Sequence, residues 1–165
     1  MINDATTGTP NRWGLEDVTV PLRMKLSALW ATVMFLYVYV DLLAFFKPGT
    51  IDEILVGRVW EFDISQGWVL GAMVLMAIPA LMVFLSLALP APIARWTNVI
   101  VGSVYIPVSI FNVVGETWIY YYWFGAIVEA ALLVLVVRYA WRWPRVSEFP
   151  TQGTPARDTA QHSLA

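Results

Sequence analysis

The chain predicts an all-α fold: a polytopic membrane four-helix bundle with a structured outer loop between its first and second membrane helices. Three observations carry that reading. Apolar stretches at about 26–46, 67–89, 96–115 and 118–137 each reach the length of about 20 residues that a helix needs to cross a ~30 Å hydrocarbon core. Hydrophobic residues make up 59% of the sequence and charged residues 13%, too apolar for an ordinary water-soluble domain of 165 residues. Only Asp41 and Glu129 carry charge inside the four stretches. With no water to satisfy the peptide groups, each stretch must be helix.

The order along the chain follows from its punctuation. Residues 1–24 are polar and expected to lie along the cytoplasmic surface, pinned by Trp13. The first apolar run exceeds a signal-peptide core, so no cleavage is expected. The membrane domain occupies 25–146, and Pro48-Gly49 stops its first helix. In the loop that follows, Thr50 and Glu53 have capping-box spacing for a short helix ending near Gly57. Beyond it Trp60, Phe62 and Ile64 alternate with Glu61 and Asp63, an extended segment with one apolar edge. This loop reads either as a lid on the bundle's outer mouth or as a segment resting on headgroups. Pro90-Ala91-Pro92 and Gly115-Glu116-Thr117 make the other two connections tight hairpins. Residues 147–165, with Pro150, Gly153 and Pro155 among small polar residues, read as a disordered tail.

Basic residues set the expected orientation. Arg12, Arg23, Lys25, Arg95, Arg138, Arg142, Arg145 and Arg157 fall on one side, against Lys47 and Arg58 on the other. That places both termini in the cytoplasm. Trp30, Trp96, Trp141 and Trp143 near the inner boundary, with Trp68, Trp118, Trp123 and Tyr120–Tyr122 near the outer, match aromatic belts.

Several functions are excluded. There is no cysteine and one histidine, His162, so disulfides, thiol nucleophiles, thiolate metal sites and bis-histidine haem within this chain are ruled out. A net charge of −2 and the lack of a basic stripe give no case for nucleic acid. No catalytic residue, metal site or cofactor is expected.

The most suggestive pattern is polar. Asn98, Gly102, Tyr105, Ser109 and Asn112 recur at spacings of four, three, four and three, so they share one face of the third membrane helix. Ser27, Trp30, Met34, Tyr37 and Asp41 form a like row on the first. At 1.5 Å per residue, Asp41 and Asn112 lie roughly 22 and 24 Å above their helix starts, so the two are expected to meet in the outer third. Glu129 falls near mid-membrane, within expected reach of Tyr37 and Tyr105. An intramembrane carboxylate costs ~2.5–3.5 kcal/mol on the insertion scale, so Glu129 and Asp41 should face the interior. Two readings stay open: an outward polar vestibule with Asp41 and Asn112 at its neck and Glu129 at its floor, or polar contacts that fix helix packing. Pro79 and Pro107 free the carbonyls of Leu75 and Ser103 one turn earlier. Gly67 and Gly71 form a GxxxG, suited to the bundle or to a subunit contact.

Lys25-Leu26-Ser27-Ala28-Leu29-Trp30, Asp41, Pro48-Gly49, Gln66-Gly67, Pro79 and Arg95-Trp96-Thr97-Asn98 carry a resemblance. With them the chain resembles an uncharacterised bacterial family of four-helix integral membrane proteins, a domain of unknown function. In architecture it is distantly similar to DoxX-like proteins, some of which accompany membrane oxidoreductases. The resemblance implies a bacterial plasma-membrane protein and supplies no catalytic residues.

Two functions follow. The first is a non-enzymatic accessory component that binds a membrane-protein partner, a lipid or a quinone-like molecule. The second is a small proton- or cation-linked transporter or channel acting as a homo-oligomer. An intramembrane enzyme has least support, since no nucleophile–base pair is present.

Overall fold

A computed structural model describes residues 19–59 and 61–144 of the chain. Trp13, Trp60 and the tail after 144 therefore lie outside the described residues. Four helices are long and apolar enough to cross a membrane: α1 (Leu22–Ala44), α3 (Gln66–Ala88), α4 (Ala91–Phe111) and α5 (Ile119–Trp141). The loop after α1 holds a short helix, α2 (Thr50–Leu55), and a two-stranded hairpin, β1 (Arg58–Val59) and β2 (Phe62–Asp63).

The helices form an up-down-up-down bundle. α4 packs most extensively on α5, and α1 packs between α3 and α5. α3 and α4 touch more lightly, which leaves α1 and α4 facing each other across the diagonal. Leu26, Trp30, Val33, Met82, Leu133 and Val136 fill the core. The outer surface stays apolar: Phe35, Met73, Phe84 and Phe124 are each about two-thirds exposed, as lipid-facing side chains should be.

Two glycines set the approach of α5 to its neighbours. A Cβ on Gly102 would lie 2.9 Å from Val137 Cγ2, and one on Gly125 would lie 3.0 Å from Val40 Cγ2. Small residues let membrane helices close to this range. The GxxxG of α3 has no such part in the bundle, since a Cβ on Gly71 meets nothing within 4 Å.

Boundaries differ from expectation where proline and arginine were read as loop. α4 begins at Ala91 with Pro92 in its first turn, because that turn's N–H groups have no helical partner to lose. α5 continues past the apolar run to Trp141, carrying Arg138 and Tyr139 as helix. In the loop, Thr50 is the first helical residue rather than the cap. Gly49, at φ 90°, takes that position and no side chain caps α2. Gly57, at φ 81°, ends the helix in the left-handed conformation glycine favours. The extended segment is a hairpin, pairing Arg58 with Asp63 and Val59 with Phe62. Its main packing is against α2.

Arginines close the helix ends on the side where α1 begins, called here the termini end. Arg23 Nη1 donates to Leu87 O at 2.8 Å and Leu89 O at 2.7 Å, capping α3. Arg95 Nη2 donates to Trp141 O at 3.3 Å, capping α5. Both cations meet the negative end of a helix dipole as well as its orphan carbonyls.

Candidate functional site

The two polar rows meet across the bundle. Trp30 Nε1 donates to Asn98 Oδ1 at 2.7 Å, and both side chains are fully buried. Ser86 of α3 brings its hydroxyl to 3.1 Å from the same oxygen and 2.7 Å from Met82 O, so one proton serves two acceptors. Asn98 Nδ2 donates to Ala94 O at 2.8 Å, which fixes the amide's orientation. Three helices thus converge on one asparagine. The edge of the Trp30–Tyr105 ring pair, with centroids 6.4 Å apart, packs beside it.

One level closer to the loop end, the Tyr37 hydroxyl lies 3.0 Å from Ser109 Oγ. The Ser109 hydroxyl also neighbours the Glu129 carboxyl. Glu129 is 2% exposed, so a carboxyl group at mid-membrane is held inside the bundle. Tyr37, Ser109 and Glu129 form a buried polar cluster drawn from α1, α4 and α5. The tyrosines expected beside Glu129 bond elsewhere, Tyr37 to Ser109 and Tyr105 to Leu75 O.

Tyr105 serves a different acceptor. Its hydroxyl donates to Leu75 O at 2.5 Å. That is the carbonyl Pro79 leaves without its helical N–H, so α4 repairs the break in α3.

Asp41 and Asn112 do not continue the pairing. Both are exposed, and no hydrogen bond joins them among the described residues. From the Trp30–Asn98 pair to the Tyr37–Ser109 pair, contact advances seven residues on α1 and eleven on α4. The helices therefore fall out of step, and the level of Asp41 lies past Phe111, where α4 ends. Asn112 is the residue that caps it.

The loop end is closed instead by residues that the sequence placed only in connections and in the aromatic belt. Lys47 Nζ pairs with Glu116 Oε2 at 2.6 Å and sits 5.7 Å from the Tyr122 ring centre. Tyr121 donates to Val40 O at 2.6 Å. Between them lies a cavity of about 30 Å³ lined by Leu43, Ala44, Lys47, Trp118, Tyr121 and Tyr122. That is room for one or two waters. Neither Asp41 nor Asn112 lines it, so it is not the polar neck expected from the sequence.

Ser86 was legible in principle, as the one hydroxyl residue in the second apolar stretch. The Lys47–Glu116 pair spans 69 residues and has no local signal. Among the described residues, no three His, Cys, Asp or Glu side chains lie close enough to hold a metal ion.

A family model described as a family of unknown function, DUF6326, matches residues 20–148. The chain belongs to that family. The match covers the whole described membrane region, so the polar seam belongs to the DUF6326 portion. Neither the curated proteins nor the solved structures contain a match to this DUF6326 chain.

Proposed function

We propose that the chain is a non-enzymatic accessory component of a membrane, an integral scaffold or subunit whose fixed shape rather than a solute path is its contribution. The observation that carries this reading is that the interior polar side chains bond to one another. Asn98 gathers Trp30 and Ser86, Ser109 bonds Tyr37, and Tyr105 caps Leu75. Groups partnered in this way fix helix register, the familiar role of polar contacts in lipid. The distant likeness to DoxX-like proteins leans the same way. The Lys and Arg bias supports both termini in the cytoplasm, and the family resemblance supports a bacterial plasma membrane.

Affinity purification of the full chain in mild detergent tests the proposal. A membrane-protein partner recovered in fixed stoichiometry is expected; repeated recovery of this chain alone would contradict it. Proton-linked transport is the competing reading, favoured by the gathering of Tyr37, Ser109 and Glu129 in one buried polar cluster. In proteoliposomes the accessory reading predicts no pH-driven flux by the wild type. Flux abolished by Glu129→Gln with the fold intact would establish transport instead.

A further inference from the structure

At the termini end the α4–α5 face carries a groove of about 240 Å³, unrelated to the polar seam. Its wall is Ile106, Val134 and Val137, and its mouth is Arg138, Trp141 and Arg142. Arg138 and Arg142 stand one helical turn apart, so both guanidinium groups rise on the same side of α5. From Val134 to Arg142 the groove extends about 12 Å along the helix, apolar toward mid-membrane and cationic at its end. Trp141 sits at the boundary, and a third cation, Arg95, holds its guanidinium 5.8 Å from that ring.

Among the described residues the charge there is unbalanced. The described ion pair, Lys47–Glu116, lies at the opposite end of the bundle. Every described carboxylate belongs to the loop end or, as with Glu129, to the interior of α5. Arginine pairs phosphate oxygens bidentately, and a tryptophan at the headgroup level suits an ester-bearing interface. The apolar wall accepts an acyl chain.

We propose that this groove is a binding site for an anionic phospholipid of the leaflet on the side of the termini. Its phosphate bridges Arg138 and Arg142, and one acyl chain lies along Val137, Val134 and Ile106. The site requires only that the helices cross a bilayer. It is independent of the partner proposed above.

The test uses the purified full chain and titrates phosphatidylglycerol against phosphatidylcholine of the same acyl composition, read by native mass spectrometry. Wild type should retain phosphatidylglycerol preferentially. Arg138→Gln combined with Arg142→Gln should weaken that retention roughly thirtyfold, the worth of two interfacial cations. Arg58→Gln, a cation at the loop end, should leave it unchanged. Val134→Trp fills the apolar wall while keeping both arginines, and should also reduce retention without lowering the unfolding temperature. Equal retention of the two lipids would overturn the proposal, as would undiminished phosphatidylglycerol binding by the double variant. Competition by millimolar inorganic phosphate as effective as the lipid itself would also overturn it, since the acyl chain would then contribute nothing.

Discussion

The hydroxyl of Tyr105 reaches the carbonyl of Leu75, 30 residues earlier, at 2.5 Å. A proline in a membrane helix breaks one backbone hydrogen bond, and in lipid the freed carbonyl has no water to turn to. Here the neighbouring helix supplies the proton. The light α3–α4 contact thereby gains a specific polar link one turn from Pro79, and the carbonyl that the proline frees becomes part of the packing.

Tyr105→Phe should therefore lower stability in detergent by about 1 kcal/mol, the scale of a membrane hydrogen bond together with an orphaned acceptor. Pro79→Ala returns an N–H to Leu75, so in that background the same substitution should cost measurably less. Unfolding of the four proteins in a double-mutant cycle checks the coupling. Additive effects would mean that the tyrosine and the proline are unrelated.

Asn98 is the busiest polar group in the bundle. Asn98→Leu removes the acceptor of Trp30 and of Ser86 together, and should cost roughly 1–3 kcal/mol. Ser86→Ala should cost less, because Trp30 keeps its partner. Equilibrium unfolding of both variants gives the comparison. Trp30→Phe should cost less in the Asn98→Leu background than in the wild type, because its hydrogen bond is already gone and only its packing loss remains.

Close approach of α4 and α5 rests on the missing side chain at Gly102. Gly102→Leu should destabilise the bundle by about 1–3 kcal/mol through overpacking. Gly102→Ala should be milder, since the obstructing atom is a methyl group of Val137 that can move. Val137→Ala should relieve part of the alanine variant's loss. Thermal unfolding in detergent measures all three.

How much of this was legible before the structure depends on what each residue answers to. The four spans and the facing polar rows follow from hydropathy and from 3.6-residue periodicity, both local. Trp30, Asn98, Tyr37 and Ser109 fell on those rows for the same reason. The meeting of Asp41 with Asn112 required equal advance on both helices, which no local pattern reports. Tyr105 was seen as a polar group near Glu129, whereas its partner is a backbone carbonyl on a third helix. Lys47 with Glu116 joins two loops and could be found only from the fold.

Solvent access to Ser109 tests the closed seam most directly. The chain has no cysteine, so a single one can be placed without background. Ser109→Cys and Asp41→Cys would be exposed to a membrane-impermeant maleimide in intact cells and in membrane vesicles. A closed seam predicts that Asp41→Cys labels from the loop side while Ser109→Cys stays unlabelled until the protein is denatured. Labelling of both at similar rates in the folded protein would mean that water reaches Glu129 through an open vestibule, and the packed interior described here would be wrong.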